Sequence, residues 1–182
     1  LARAATAAPA AAPRFTGTLV TALAADETGA AIAAQLAFAR RWGWGGALRG
    51  TWAMAARHEP VDGGGTVALR SLVLRGCAFE TFRPDRVFSV QVGPEVLLQL
   101  DRADPMGLAG GQAVWRAGWG IGVGGGLDVP VTRWVAIAVL ASLDYAPAGW
   151  GGALTVGNRG DVLRPGALRV LVAAGPRFSL DW

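Results

Sequence analysis

The chain of 182 residues has no lysine, one cysteine, one histidine and one tyrosine. Each scarcity excludes something. A lone Cys77 can form no internal disulfide and no thiolate metal site. A lone His58, beside Glu59 in HEPVDGGG, makes a poor metal site and leaves the serines Ser71, Ser89, Ser142 and Ser179 without a supporting hydrolase motif. Charged residues make up only 16% of the chain, against about 25% in soluble proteins. All 17 basic residues are arginine, and they are scattered, with nothing denser than Arg40-Arg41. A net charge of +4 therefore does not read as a nucleic-acid footprint. Long apolar runs are missing as well. The best candidates, GAAIAAQLAFA (29–39) and WVAIAVLASL (134–143), are bounded by charge and fall short of the ~20 residues of a spanning helix.

What is abundant is hydrophobicity without length: 52% apolar residues, 27 glycines and eight tryptophans. Residues 1–13, LARAATAAPAAAP, read as an Ala/Pro linker or disordered arm. The chain opens on Leu1 with no visible signal peptide, so an upstream signal or preceding domain is expected. From residue 14 to 182 the dominant period is two. In 112–129 the odd positions give Trp115, Trp119, Ile121, Val123, Leu127 and Val129, whereas the even ones give Gln112, Arg116, five glycines and Asp128. Segment 131–146 sets Val135, Ile137, Val139, Leu143 and Tyr145 against Ala136, Ala138, Ser142 and Asp144. Segments 14–24, 30–40, 47–57, 87–100 and 167–182 alternate likewise, although the alanines of 30–40 would also suit a helix. Segment 66–80 keeps its alternation only if the register slips between Arg70 and Arg75, as a bulge allows.

Eight strands of about ten residues result, joined by the short connections 42–45, 80–86 and 128–133 and, on the other side, mostly by longer loops. Short turns alternating with long loops describe an up-and-down transmembrane barrel. The direction of the faces follows from volume. An eight-stranded interior is just filled by side chains. The Trp-bearing face would overfill it, and the Gly/Ala face with sparse charges would not. The expected fold is therefore all-β: an eight-stranded antiparallel up-and-down transmembrane β-barrel with its greasy face in lipid and its ladder closed. Pro94 and Pro176 fall inside strands, each after a glycine, where local bulges are expected.

This pattern assigns Arg49, Glu95, Arg116, Asp144, Arg169 and Arg177 to the lumen, as an internal ion-pair network plugging a narrow barrel. With four arginines against two acids, further partners must come from water, loop acids or the C-terminal carboxylate. Trp42, Trp44, Trp134 and Trp182 fall near the short turns and Trp115 near the opposite strand end, an interfacial girdle. Trp150 in the longest loop is the best candidate for an aromatic carbohydrate contact. GWGIGVG has a dinucleotide-loop spacing but sits inside an alternating strand, so its glycines are expected to let the wall curve and make room for facing side chains.

The run GVGGGLDVPVTRWVAIAVLASLDY (122–145) resembles the Gly-rich strand, tight turn and returning strand of small bacterial outer-membrane barrels of the OmpA-like type. The ending GPRFSLDW resembles their C-terminal assembly signal, with Gly175, Phe178 and Leu180 in the matching spacing and Trp182 as the last aromatic. The resemblance implies residence in the outer membrane and insertion by the barrel-assembly machinery. The expected function is a structural scaffold whose loops, chiefly 147–166 and 101–111, contact the envelope or an external partner, with no catalytic residue, metal or cofactor. A narrow channel for water or small ions is the alternative. A lipid-modifying enzyme using His58 and a soluble lipocalin-like binder stand further back.

Overall fold

Alternation over ten or more residues, with bulky groups on one face, commits a segment to a strand. The computed structural model describes residues 15–26, 29–40, 43–61, 64–82, 87–107, 112–146, 154–155, 161–163 and 167–181. The arm 1–13, Trp42, Trp150 and Trp182 lie outside the described residues. The strands are β1 (Phe15–Asp26), β2 (Gly29–Arg40), β3 (Trp44–Ala53), β4 (Arg57–Pro60), β5 (Thr66–Phe82), β6 (Ser89–Met106), β7 (Val114–Pro130), β8 (Val135–Tyr145), β9 (Leu154–Thr155), β10 (Asp161–Leu163) and β11 (Leu168–Asp181). The sheet runs β3-β2-β1-β11-β8-β7-β6-β5 and closes through β3–β5, every pair antiparallel. Eight long strands thus form a closed up-and-down barrel. The alanine-rich 30–40 segment is a strand whose Ile32, Leu36 and Phe38 face out and whose Ala31, Ala33, Gln35 and Ala37 face in.

Cα partners carried once round the ring start at Ala25. They pass through Val172, Ala141, Gly125, Val92, Glu80 and Trp44 into β2 beside Arg40, and re-enter β1 at Phe15. A stagger of about ten residues over eight strands requires the strong tilt of a narrow barrel. The connections β2–β3, β5–β6 and β7–β8 share one end with the start of β1 and the end of β11. Short turns mark that end as periplasmic. At the other end β1 turns directly into β2, with Asp26 paired to Gly29, whose φ of +121° suits a residue without a side chain.

Three expectations are corrected. Segment 66–80 has no slip. Its pairing with β6 holds one register from Thr66↔Met106 to Phe82↔Val90, so Ser71, Val73, Arg75, Cys77 and Phe79 all face inward. Pro94 and Pro176 sit at gaps rather than bulges. The β5–β6 ladder stops at Cys77↔Glu95 and resumes at Glu80↔Val92, and the β1–β11 ladder stops at Val20↔Arg177 and resumes at Leu23↔Ala174, both in the same register. Finally, β5, β6 and β7 are 17, 18 and 17 residues long. They rise past the barrel rim, and β4 adds to β5 there, so His58 lies on a short strand paired with Ala68 rather than in a loop.

The exterior is an apolar belt of exposed leucines, valines, isoleucines and aromatics from every long strand. Such a surface is tolerable only in lipid. Leu48 lies midway between Trp44 near the periplasmic end of β3 and Trp52 toward the outer end. Leu48→Arg is therefore expected to cost about 2–4 kcal/mol and Trp44→Arg about 0–1 kcal/mol, read from urea unfolding in lipid vesicles. Equal losses at the two positions would refute the placement of the belt.

Candidate functional site: an occluded polar lumen

Inward residues of β1, β2, β8 and β11 make an apolar wall: Val20, Ala22, Ala31, Ala33, Leu140 and Leu171, with their alanine neighbours. Most of the charges come from the facing strands β3, β5, β6 and β7, with Asp144 on β8 and Arg169 and Arg177 on β11. Arg49, on β3, donates from Nε to Gln35 Oε1 at 2.8 Å and from Nη1 to Ser142 Oγ at 2.7 Å, and its Nη1 lies 3.5 Å from Glu95 Oε1. Arg75, on β5, donates to Asp144 Oδ2 from Nη2 at 2.8 Å and Nε at 3.1 Å, and to Thr51 Oγ1 at 3.1 Å. Its Nε is also 3.9 Å from Glu95 Oε2. These four charged residues are at most 3% exposed.

Toward the outer end, Arg116 binds Asp101 Oδ2 through Nε and Nη2, at 3.1 and 3.0 Å. Asp101 Oδ1 accepts from Ser71 Oγ and Gln99 Nε2, and Gln99 Oε1 in turn accepts from Arg169. Toward the periplasmic end Arg177 pairs with Asp128, which also accepts from Ser89. The six lumen residues expected from sequence therefore all face inward, in three clusters along the barrel. Arg49 and Glu95 are paired directly with each other. Arg75, Asp101 and Asp128 supply the carboxylate and guanidinium partners that the sequence reading left out, giving five arginines facing four acids. Asp101 opens a stretch whose composition reads as a loop, and Arg75 turns inward only when the register of 66–80 is unbroken.

The glycines of β7 make the clusters possible. A Cβ at Gly124 would fall 1.8 Å from Glu95 Oε1, and one at Gly122 would fall 2.4 Å from Asp144 Oδ1. Both carboxylates thus lie directly on bare backbone. One cavity, about 20 Å³ in volume, opens below them among Gln35, Arg49, Cys77, Gln91, Glu95 and Phe79. That is room for a water molecule with polar partners, and no more.

The aromatic positions divide by end. Trp44 is exposed at the periplasmic end of β3. Trp134 lies in the β7–β8 turn, under the Arg133 guanidinium at 4.6 Å, and its carbonyl accepts from the Ser179 N–H at 2.9 Å, tying that turn to the last strand. Trp115 is exposed near the outer end of β7. In the C-terminal segment Phe178 and Leu180 face outward, and Gly175 faces inward against β1.

His58 and the serines do not form one site. Ser71, Ser142 and Ser89 are engaged with Asp101, Arg49 and Asp128 inside the barrel, whereas His58 is exposed on β4. Among the described residues no three His, Cys, Asp or Glu side chains are grouped to hold a metal.

Closed ladder, apolar exterior and charged interior together define an eight-stranded transmembrane barrel of the bacterial outer-membrane type. Solved structures of that type superpose on nearly the whole chain. A major outer membrane protein from Thermus thermophilus is 13% identical, with 93% of this chain and 100% of that one covered and a TM-score of 0.65. Ail, the attachment invasion locus protein of Yersinia pestis, solved with the heparin analogue sucrose octasulfate, is 13% identical, covering 92% and 99%, with a TM-score of 0.54. Neisserial surface protein A is 17% identical, covering 91% and 95%, with a TM-score of 0.50. No family model matches the chain, and no curated protein matches it in sequence.

Proposed function

We propose that this barrel is a non-catalytic, non-conducting scaffold of the outer membrane, whose outward loops contact envelope components or an external partner. The occluded lumen carries the reading. A water path would have to cross the Arg49–Glu95 and Arg75–Asp144 pairs, whose members are hydrogen-bonded across strands, with the buried Leu140 and Leu171 in the apolar wall of the same lumen. Separating such buried charges is costly, and the network holds its own shape. The serines that a hydrolase would draw on are engaged in that same network, away from His58. The name of Ail ties a barrel of this fold to attachment, which supports the outward end as a contact surface here too. Gly175, Phe178, Leu180 and Trp182 serve, in this reading, as the segment that the barrel-assembly machinery engages during insertion. The deciding experiment is conductance of the purified full chain in planar bilayers. Silence across ordinary voltages is expected, and sustained unitary openings would overturn the proposal in favour of a narrow channel.

A further inference from the structure

Above the apolar belt, the outer faces of β5, β6 and β7 bring three residues into one row. Arg70 is the cross-strand partner of Arg102, and Arg102 is the partner of Trp115. The next outward-facing rows toward the membrane centre are Leu72↔Leu100, then Leu74↔Leu98, the latter continuing to Trp119. The two guanidiniums therefore stand at the point where apolar wall gives way to charge, on the lipid side and not in the lumen.

Their charge balance is incomplete. Arg102 donates from Nε to Asp104 Oδ1 at 2.9 Å and lies over the Trp115 ring at 5.7 Å. Arg70 is exposed and has no ion-pair partner among the described residues. On neighbouring β4, Glu59 is engaged by Arg57. Like charges directly opposite each other on an antiparallel pair repel, so Arg102, held by one carboxylate, and Arg70, with none among the described residues, favour an additional anion between them. A guanidinium fork matches a phosphate bidentately, whereas a Trp at the interface holds the depth of the site.

We propose that Arg70, Arg102 and Trp115 form a binding site for the phosphate of an outer-leaflet lipid headgroup, whose acyl chains lie down over Leu72, Leu74, Leu98 and Leu100. Position selects a lipid over a soluble anion, because the site opens onto the lipid-covered wall. The inference goes beyond the scaffold reading and does not depend on whether the lumen conducts.

The test uses the full chain folded in zwitterionic detergent and titrated with bis-phosphorylated lipid A, bound lipid being read by native mass spectrometry. Arg70→Gln with Arg102→Gln is expected to weaken binding at least about tenfold, from the loss of charge-assisted hydrogen bonds. Arg133→Gln at the opposite membrane face should leave binding unchanged. Dephosphorylated lipid A should bind the unaltered protein as weakly as phosphorylated lipid A binds the glutamine pair. If the glutamine pair loses the heat-modifiable gel mobility of a folded barrel, Arg70→Lys with Arg102→Lys carries the test. That pair keeps the charge without the fork and should bind severalfold more weakly than the unaltered protein. Unchanged affinity in the folded variants, or equal binding of dephosphorylated lipid, overturns the proposal. Displacement of the lipid by equimolar sucrose octasulfate overturns the assignment to a lipid and makes this a site for soluble polyanions.

Discussion

Replacing Arg75 with methionine is expected to cost about 3–5 kcal/mol of unfolding free energy, because it strands a buried carboxylate. Asp144 is fully buried, lies on the bare backbone of Gly122, and takes both of its strong hydrogen bonds from Arg75. Glu95 keeps Arg49 after the change, but Asp144 keeps no donor of comparable strength at that oxygen among the described residues. Adding Asp144→Asn removes the stranded charge while preserving shape, so the double variant should recover to within about 1–2 kcal/mol of the unaltered protein, a pattern seen when both members of a buried pair are neutralised. Arg102→Met is the control. Its pair with Asp104 is exposed, and such pairs are worth about 0–1 kcal/mol. Urea unfolding in vesicles, followed by the loss of heat-modifiable mobility, measures all three. If Arg75→Met costs no more than Arg102→Met, the lumen network does not hold the barrel together.

Arg75 also shows where sequence reading reaches and where it stops. Strands β6, β7, β8 and β11 are legible because lipid on one side and a crowded lumen on the other favour alternation, although Leu97, Leu140 and Leu171 point inward as well. In 66–80 the arginines at 70 and 75 have opposite parity, so an unbroken register turns one of them outward. Parity carries no depth, however. Arg70 faces out but stands above Leu72 at the rim, where an outward cation is cheap, and Arg75 faces in. The same loss of constraint hid the outer parts of β5, β6 and β7. Past the belt Arg102, Asp104 and Met106 no longer alternate against lipid and so read as a loop, although Val67, Leu69 and Ala103 on the other face stay buried. The inward set was legible one strand at a time, but its pairing was not. Arg75 meets Asp144 across 69 residues of sequence, and only the closed register of eight strands brings them together.

The second large effect concerns two Gly-Pro pairs, which the sequence suggested as bulges and which prove to be pinch points. A Cβ at Gly93 would fall 1.8 Å from the Ala78 carbonyl oxygen and 2.7 Å from Phe79 Cα, and one at Gly175 would fall 2.1 Å from the Thr21 oxygen and 2.7 Å from Ala22 Cα. The obstacles are backbone, so no side-chain rotation relieves them. The two seams, β5–β6 and β1–β11, lie on opposite sides of the ring, four strand pairings apart in either direction. Each glycine lets its neighbour strand press in where the ladder skips two residues, so the pair bends opposite walls together. Gly93→Ala and Gly175→Ala are each expected to cost about 3 kcal/mol, the upper end of overpacking, because the atoms in the way cannot move. Gly46→Ala, with its nearest neighbour at 3.7 Å, should be tolerated. Gly175 also belongs to the proposed assembly segment, and Gly93 does not. Refolding purified chains into detergent, without any assembly machinery, separates the two roles. If both alanine variants fail there, the pinch is a requirement of the fold itself. A Gly175→Ala chain that refolds in detergent yet fails to insert in cells would instead assign that glycine to recognition.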